Sequence, residues 1–561
     1  MTNEDRDSRA GGVSLAVVNA RIWTGDARRP WADGLAVGGD RLDLVGSSAE
    51  VRKLATRGTR VLDAKGAFVA PGFVDSHVHF LAGGFRLGSV QLRDARTPAE
   101  FVARLAAFAR EVPAGGWITG GDWDHEQWGG ELPGRDWIDA VTPNHPVWVS
   151  RLDGHMALAN SAALHAAGVD GHTEVPDGGV IVLNDSGQPS GILKDAAMTL
   201  VLRAIPEPGA TQEDAALAAA MRHVARHGVT SVHHMGTWGD LDVFRRAHAA
   251  HALTTRIRAA VPIETAERLQ ATIADQGPGD SWLNIGALKV FVDGSLGSHT
   301  AAFLEPYTDA PDDSGLLIHE PDALYELCRT GEAAGLQLIV HAIGDRAARL
   351  QLDVFERLQH EFGARDRRWR IEHAQHVAAA DRARFGELGV IASVQPLHLV
   401  DDGSWAERVV GAERMAESYS FRSLRDAGAR LAFGSDWFVA EPVPLAGMGA
   451  AVTRMVPGAV APGYRSAHAH PAADGRSSGF VWSEGERLTV EEALVATTRD
   501  AAYAGFAESR TGRLVRGMLA DFVILDADPL DAEPERIAEL EVRMTVVGGR
   551  VVHEASLQVD G

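Results

Sequence analysis

The sequence predicts an α/β protein built on a (β/α)8 TIM-like barrel, with a composite β-domain from both chain ends and an insertion after strand one. Three observations predict it. Strand-like and helix-like segments alternate through the middle of the chain, the pattern of βα units around a parallel sheet. The strand-like runs number eight, the count that closes such a barrel. Short β-like runs separated by turn residues stand at both ends of the chain.

Residues 1–12 are polar and read as disordered. The first β-like runs are Ser14–Asn19, Gly34–Val37, Arg41–Val45 and Arg60–Asp63, with turns at Asp33-Gly34 and Gly38-Gly39-Asp40. A second set, Asp521–Leu525 and Val542–Val552 with a Gly548-Gly549 hairpin turn, closes the chain. These ends define a composite β-domain of residues 13–70 plus 511–557 around a barrel of residues 71–510. The candidate barrel strands are Phe68–His79, Ser231–Met235, Arg256–Val261, Leu288–Asp293, Gln337–Ala342, Arg370–Ala374, Val390–Gln395 and Arg430–Ser435. Helical stretches such as Thr211–His227, Asp322–Ala334 and Arg346–His360 lie between them.

Spacing supports the order. A βα repeat needs about 30 residues, and seven strands fit it from Ser231 onward. The gap from His79 to Ser231 is too long for one unit, so an inserted subdomain is expected at about 85–225. It carries Trp117, Trp123, Trp128, Trp137 and Trp148, which either line a pocket or lid or form the insertion's own core. A Pro-, Gly-, Ser- and His-rich stretch at 457–487 reads as a surface loop.

Composition narrows the function. The 561 residues carry a formal charge of −22, which argues against a nucleic-acid partner. No apolar run is long enough to span a membrane and no signal peptide precedes the first turn, so a cytoplasmic, membrane-free protein is expected. The single cysteine, Cys328, supplies no thiolate cluster. A small-molecule substrate follows, and a homodimer is one option for assembly. Lysines number four, Lys53, Lys65, Lys194 and Lys289, and only Lys289 sits in an apolar, strand-like run, Ile285–Asp293. Burial favours its neutral amine, which can add carbon dioxide to become an anionic carbamate; arginine cannot.

The chemistry-bearing residues fall at candidate strand ends. His77 and His79 share one face of strand one, Lys289 lies on strand four, His341 ends strand five, His373 ends strand six and Asp436 ends strand eight. Strand C-termini share one mouth in a (β/α)8 barrel. Each histidine alone reads as a structural residue. Four histidines and a carboxylate at four such ends, with a buried lysine, read as a metal site.

Several motifs carry a family resemblance across nearly the whole chain. They are Pro71-Gly-Phe-Val-Asp-Ser-His-Val-His79, Gly121-Asp-Trp-Asp124, Asp153-Gly-His155, Lys289-Val-Phe-Val-Asp-Gly-Ser-Leu-Gly297, His341-Ala-Ile-Gly-Asp-Arg-Ala347, Glu372-His-Ala-Gln375 and Gly434-Ser-Asp-Trp437. The tail adds Gly517-Met-Leu-Ala-Asp-Phe-Val-Ile-Leu525 and Val547-Gly-Gly-Arg-Val551. With these the chain resembles the amidohydrolase superfamily, and within it the YtcJ-like branch that includes N-substituted formamide deformylase. The resemblance implies two divalent metal ions, zinc first among the candidates. His77 and His79 would bind one, with Asp436 beside it; His341 and His373 would bind the second; carbamylated Lys289 would bridge them, with a hydroxide between. Two departures stand out: His299 where the branch often has arginine, and Phe438 where it often has proline.

The expected reaction is hydrolysis of an amide-type C–N bond, of an N-substituted formamide or N-acyl compound, by the metal-bridging hydroxide. Asp436 would take the nucleophile's proton and return it to the leaving nitrogen. Glu372 beside His373 and Asp345 near His341 are candidates for orienting metal-bound imidazoles. Trp123, His155 and His299 are weaker candidates for substrate contact, and His234 on strand two reads as a packing residue. The alternatives are a mononuclear deaminase, a lactone or ester hydrolase on the same fold, and a non-enzymatic interaction protein. A serine hydrolase is disfavoured, because Gly475-Arg-Ser-Ser-Gly479 follows a loop rather than a strand. His468-Ala-His470 is likewise off any strand.

Overall fold

A computed structural model describes residues 12–151, 156–176, 179–297, 299–403, 405–456 and 479–555. The chain divides into two compact units, one of Met1–Leu81 with Ala220–Gly561 and one of Ala82–Ala219. Residues 475–478 of the Gly475–Gly479 match, His468-Ala-His470 and most of the 457–487 loop lie outside the described residues, as does His155.

The first unit holds eight strands in one sheet: β1 (Phe73–Val78), β2 (Val229–Met235), β3 (Arg256–Pro262), β4 (Leu283–Phe291), β5 (Gln337–Ala342), β6 (Arg370–His373), β7 (Ile391–Val394) and β8 (Arg430–Phe433). Every neighbouring pair is parallel and follows chain order. β8 returns to β1, where Asp436 donates its backbone N–H to the His77 carbonyl at 2.7 Å and His79 donates to the Trp437 carbonyl at 2.6 Å. A Cβ on Gly434 would stand 2.6 Å from the His77 nitrogen, so the close approach that closes the barrel requires glycine there. The strands read as continuous apolar runs because both faces are buried. Helices cover the outside with amphipathic stripes. In Asp345–Phe362, Ala347, Ala348, Gln351, Leu352, Phe355 and Leu358 form the buried face at helical spacing.

The first candidate strand, Phe68–His79, is in fact two. Phe68–Pro71 pairs with Arg21–Trp23 and Phe522–Leu525 in a six-stranded sheet, and the barrel strand begins only at Phe73. Gly72 is the crossing point: its N–H reaches the Asp521 carbonyl at 3.0 Å, and a Cβ there would meet the Thr230 side chain at 2.2 Å. The run is apolar on both sides of this break, so hydrophobic patterning carries no sign of it. The same sheet unites strands from both ends of the chain, in the order Arg550–Glu554, Val542–Val547, Phe522–Leu525, Phe68–Pro71, Arg21–Trp23, Trp31–Ala32. A four-stranded sheet built from Leu15–Val18, Gly34–Gly38, Arg41–Gly46 and Arg60–Asp63 packs with it around Leu15, Val17, Leu35, Val69, Phe522 and Val546.

The second unit carries its own six-stranded sheet, from Val90–Gln91 through Gly179–Leu183. Its tryptophans are core residues. Trp123 is fully buried beside Phe101, Leu105 and Ile138, with Trp128 and Trp137 packed against the same cluster. Trp148 and Trp117 belong to a second cluster with Leu164 and Leu193. Among the described residues, no helix is long and apolar enough to cross a membrane.

Candidate metal centre

All the clustered side chains sit at C-terminal ends of barrel strands. His77 lies on β1 and His79 just beyond it, and both turn the same way. Their Nε2 atoms stand 3.4 and 3.3 Å from Asp436 Oδ1. The other Asp436 oxygen faces His398 Nε2 at 4.0 Å. Donor atoms of His77, His79 and Asp436 lie within 4.8 Å of one another, and so do those of His373, His398 and Asp436. One carboxylate therefore stands between two pairs of imidazoles.

Backbone geometry makes this convergence. Strand alternation would send Glu372 and His373 to opposite faces. His373 instead takes φ +73, and the turn out of the strand brings its ring to 5.1 Å from His77 while Glu372 still points into the barrel. Asp436 also has positive φ, at +58, where the chain leaves β8. Such conformations cost energy and persist only where the surroundings hold them. Here Asp75 does part of the holding. Its carboxylate accepts from the Ser435 backbone at 2.9 Å, the Ser435 hydroxyl at 2.6 Å and the His77 backbone at 3.2 Å.

The protonation pattern is set from inside the barrel. Arg370 donates to both oxygens of Glu372 at 2.8 and 2.9 Å, and Glu372 Oε2 lies 2.5 Å from His77 Nδ1. Burial opposes the Glu372 charge, but Arg370 and His77 hold its carboxyl well below the usual range. An ionised carboxylate only accepts, so His77 carries its proton on Nδ1 and presents a lone pair on Nε2. That lone pair faces another acceptor, Asp436 Oδ1. Two acceptors so placed repel unless a cation or a proton lies between them.

The imidazoles of His341, His373 and His398 are neutral as well. Burial, reinforced by Lys289, lowers His77 to about 4 and His341 to about 3. Burial also pulls His373 well below its ordinary value and lowers His398. Burial opposes the Asp436 charge, yet the attraction between the carboxylate and any proton taken up by His77, His373 or His398, together with the hydrogen bond to His79, keeps the carboxyl well below its ordinary value. Neutral imidazoles around an ionised carboxylate are the protonation states of a metal ligand set. His373 Nδ1 and His398 Nε2 are buried with no hydrogen-bond partner, which native interiors rarely allow. Nitrogen and carboxylate donors with unsatisfied lone pairs fit a divalent cation of the zinc type.

Lys289 is buried on β4, its ammonium 4.9 Å above the Phe291 ring. Burial draws its pKa down to about 8, although Glu372 and Asp436 pull the other way. His341 lies with its ring 4.6 Å from His373. Its Nε2 is spent on the Gly294 carbonyl at 2.9 Å, and its donor atoms are not among those that converge within 4.8 Å at Asp436.

Several expected partners differ. Glu372 serves His77 and not its neighbour His373, because it keeps the inward face that His373 leaves. Asp345 accepts from the Leu304 backbone at 2.8 Å and does not support His341. The acid near His341 is Asp293, 3.5 Å away, whose oxygens accept from the backbones of Ala302, Ile343 and Gly344. Trp123 cannot meet a substrate as packed: it is fully buried and donates Nε1–H to the Val149 carbonyl at 2.8 Å. His299 pairs with Asp309 at 3.0 Å and packs on Tyr307. His234 accepts from the Phe80 backbone and pairs with Asp240, in a buried packing position. His398 is the residue the sequence reading passed over. It follows β7 in the first turn of the helix Pro396–Asp402, and Pro396 at the helix start is the signal that strand seven ends beside the mouth.

Comparison with known proteins decides the family. A model of the amidohydrolase family matches residues 60–553. The chain belongs to the amidohydrolase family. It is 40% identical to Protein LONG AFTER FAR-RED 3 of Arabidopsis thaliana, over 96% of this chain and 92% of that one. It is 31% identical to the putative amidohydrolase YtcJ of Bacillus subtilis, over 89% and 91% of the two chains. It is 28% identical to N-substituted formamide deformylase of Arthrobacter pascens, over 96% and 98%. These relatives place it in the YtcJ-like branch. A metal-dependent hydrolase from Pyrococcus horikoshii superposes with a TM-score of 0.76 at 28% identity, covering 93% of this chain and 99% of that one. This amidohydrolase is thus a metal-dependent hydrolase, and its family implies a divalent metal.

Proposed function

We propose that this amidohydrolase cleaves an amide-type C–N bond in a small molecule, with N-substituted formamides and N-acyl amines as the substrate class. The observation that carries the reading is the position of Asp436. One ionised carboxylate stands 3.3–3.4 Å from two imidazole nitrogens and faces a third across the same mouth. The formamide class rests on the relative named for that reaction.

Two divalent cations, zinc by donor chemistry, would be held by His77, His79, Asp436, His341, His373 and His398, with Lys289 as its carbamate between them. Bound there, they supply Lewis-acid polarisation of a carbonyl and acidify a water. The chain's own residues do the rest. Glu372, locked by Arg370, fixes the His77 tautomer. Asp436 accepts the proton of the attacking water and hands it to the departing nitrogen, so one carboxylate serves both transfers. For a formamide the products are a free amine and formate. The buried Lys289 amine, with a pKa near 8, is readily deprotonated for reaction with carbon dioxide.

The test is a panel of N-alkyl and N-aryl formamides, the matching acetamides and the matching formate esters, followed by formate, acetate and amine release. Faster turnover of formamides than of acetamides and esters is expected. Turnover of esters alone would overturn the C–N assignment.

A further inference from the structure

We propose that the N-terminal end of the barrel, opposite the metal centre, binds the oxyanion group of a small organic molecule. A cavity of about 480 Å³ opens there. Its walls come from the starts of β3, β4 and β5, the segment before β6 and the stretch after the helix Arg499–Ala504. Gln337 in the wall and His341 in the metal centre are four residues apart on β5, roughly 13 Å at strand spacing. The two sites therefore share strands but not residues.

The cavity is cationic in a chain that is acidic overall. Four arginines line it: Arg258, Arg365, Arg367 and Arg510. Arg365 and Arg367 share one oxygen of Glu332, each at 2.7 Å. The lining carboxylate Asp366 is paired with Arg368 at 2.9 Å. Arg258 and Arg510 form no ion pair among the described residues. Arg258 has only neutral partners, Asn284 and Gln337. Burial and the nearby Arg370, Arg510 and Arg368 pull its pKa down to about 9.

Arg258 and Arg510 thus bring two guanidinium charges to the wall with no carboxylate against them, and the group that balances them is an anion accepting several N–H bonds at once. Carboxylate, sulfonate and phosphate oxygens match the guanidinium fork. The wall also offers Phe506, Ile285 and Leu336, so an anion carrying an apolar group gains more than a bare one.

The experiment is calorimetric titration of the metal-loaded full-length protein with sulfate and with benzenesulfonate. Saturable binding at one site per chain is expected, tighter for benzenesulfonate. Arg510→Gln should weaken it at least about tenfold, the scale of a lost charge-assisted hydrogen bond, with metal content unchanged. Arg258→Gln should weaken it further, but Arg258 also holds Asn284 and Gln337, so Arg510→Gln is the deciding variant. Absence of saturable binding, or equal binding by Arg510→Gln, would overturn the proposal. So would binding that disappears when the metal is removed, since the anion would then sit at the mouth.

Discussion

At the two ends of the same strands the barrel leaves different kinds of atom unsatisfied. At the C-terminal mouth they are imidazole nitrogens, His373 Nδ1 and His398 Nε2, around an ionised Asp436. At the N-terminal end they include two guanidinium donors, Arg258 Nε and Arg367 Nη1, and one oxygen of the Glu332 carboxylate that pairs with Arg365 and Arg367. Between them, Arg370 and Glu372 face each other with their charges met. A buried ion pair of this sort adds little net stability, but removing one member leaves a stranded charge. The difference teaches which polar atoms are structural. Where the chain supplies both donor and acceptor, the group orients its neighbours; where several unpartnered atoms of one kind converge, as at the mouth, they form a site for a ligand.

The largest effect expected is at Asp436. Asp436→Asn keeps the shape and removes the base, so turnover should fall about 100- to 10,000-fold, the range for a lost general acid–base. Steady-state rates on the best amide substrate check it, and near-normal turnover would make Asp436 an anchor only.

A smaller loss is expected at Glu372, which never reaches the mouth. Glu372→Gln weakens the acceptor that fixes His77 and should cost about 10- to 100-fold in metal affinity or activity. Competition with a chelator of known affinity measures it. If affinity is unchanged, the Arg370–Glu372 pair serves the barrel interior and not the mouth.

How far the sequence reached differs between these residues for physical reasons. His77 and His79 were legible because strand alternation fixes the face of any i, i+2 pair. The eight strands were legible because their doubly buried runs stand apart from amphipathic helices. The break at Gly72 was hidden, since the chain passes between two buried sheets without a polar residue. The aim of His373 depends on a left-handed φ that no residue type in Glu372-His373-Ala374 announces. His398 lies one helical turn past its strand, outside the window in which strand ends are sought. The partner of Glu372 followed from alternation, but only once His373 was known to break it.

The smallest effect expected separates an isolated nitrogen from a clustered one. His376 Nε2 is also buried without a partner, but it packs against Phe303 and Tyr419, and its other nitrogen shares a 2.6 Å hydrogen bond with the Ser418 hydroxyl, which itself donates to the Arg414 carbonyl. Burial, with Arg414 nearby, lowers its pKa to about 3. Its folded pKa is depressed, so below about 6.5 the unfolded chain takes up a proton that the folded chain refuses. Stability therefore falls as pH drops from about 6.5 toward 3, by at most about 1.4 kcal/mol per pH unit for this group. His376→Gln should flatten that slope in the metal-free protein, measured as Tm against pH, while leaving metal affinity intact. An unchanged slope would assign the acid sensitivity elsewhere.

The central claim is that the unsatisfied atoms at the mouth await cations. Elemental analysis of protein purified without added metal, beside a His398→Ala variant, tests it most directly. Close to two divalent metals per chain are expected, with a clear loss in the variant. No metal in the parent protein, even after zinc and bicarbonate are supplied, would contradict it.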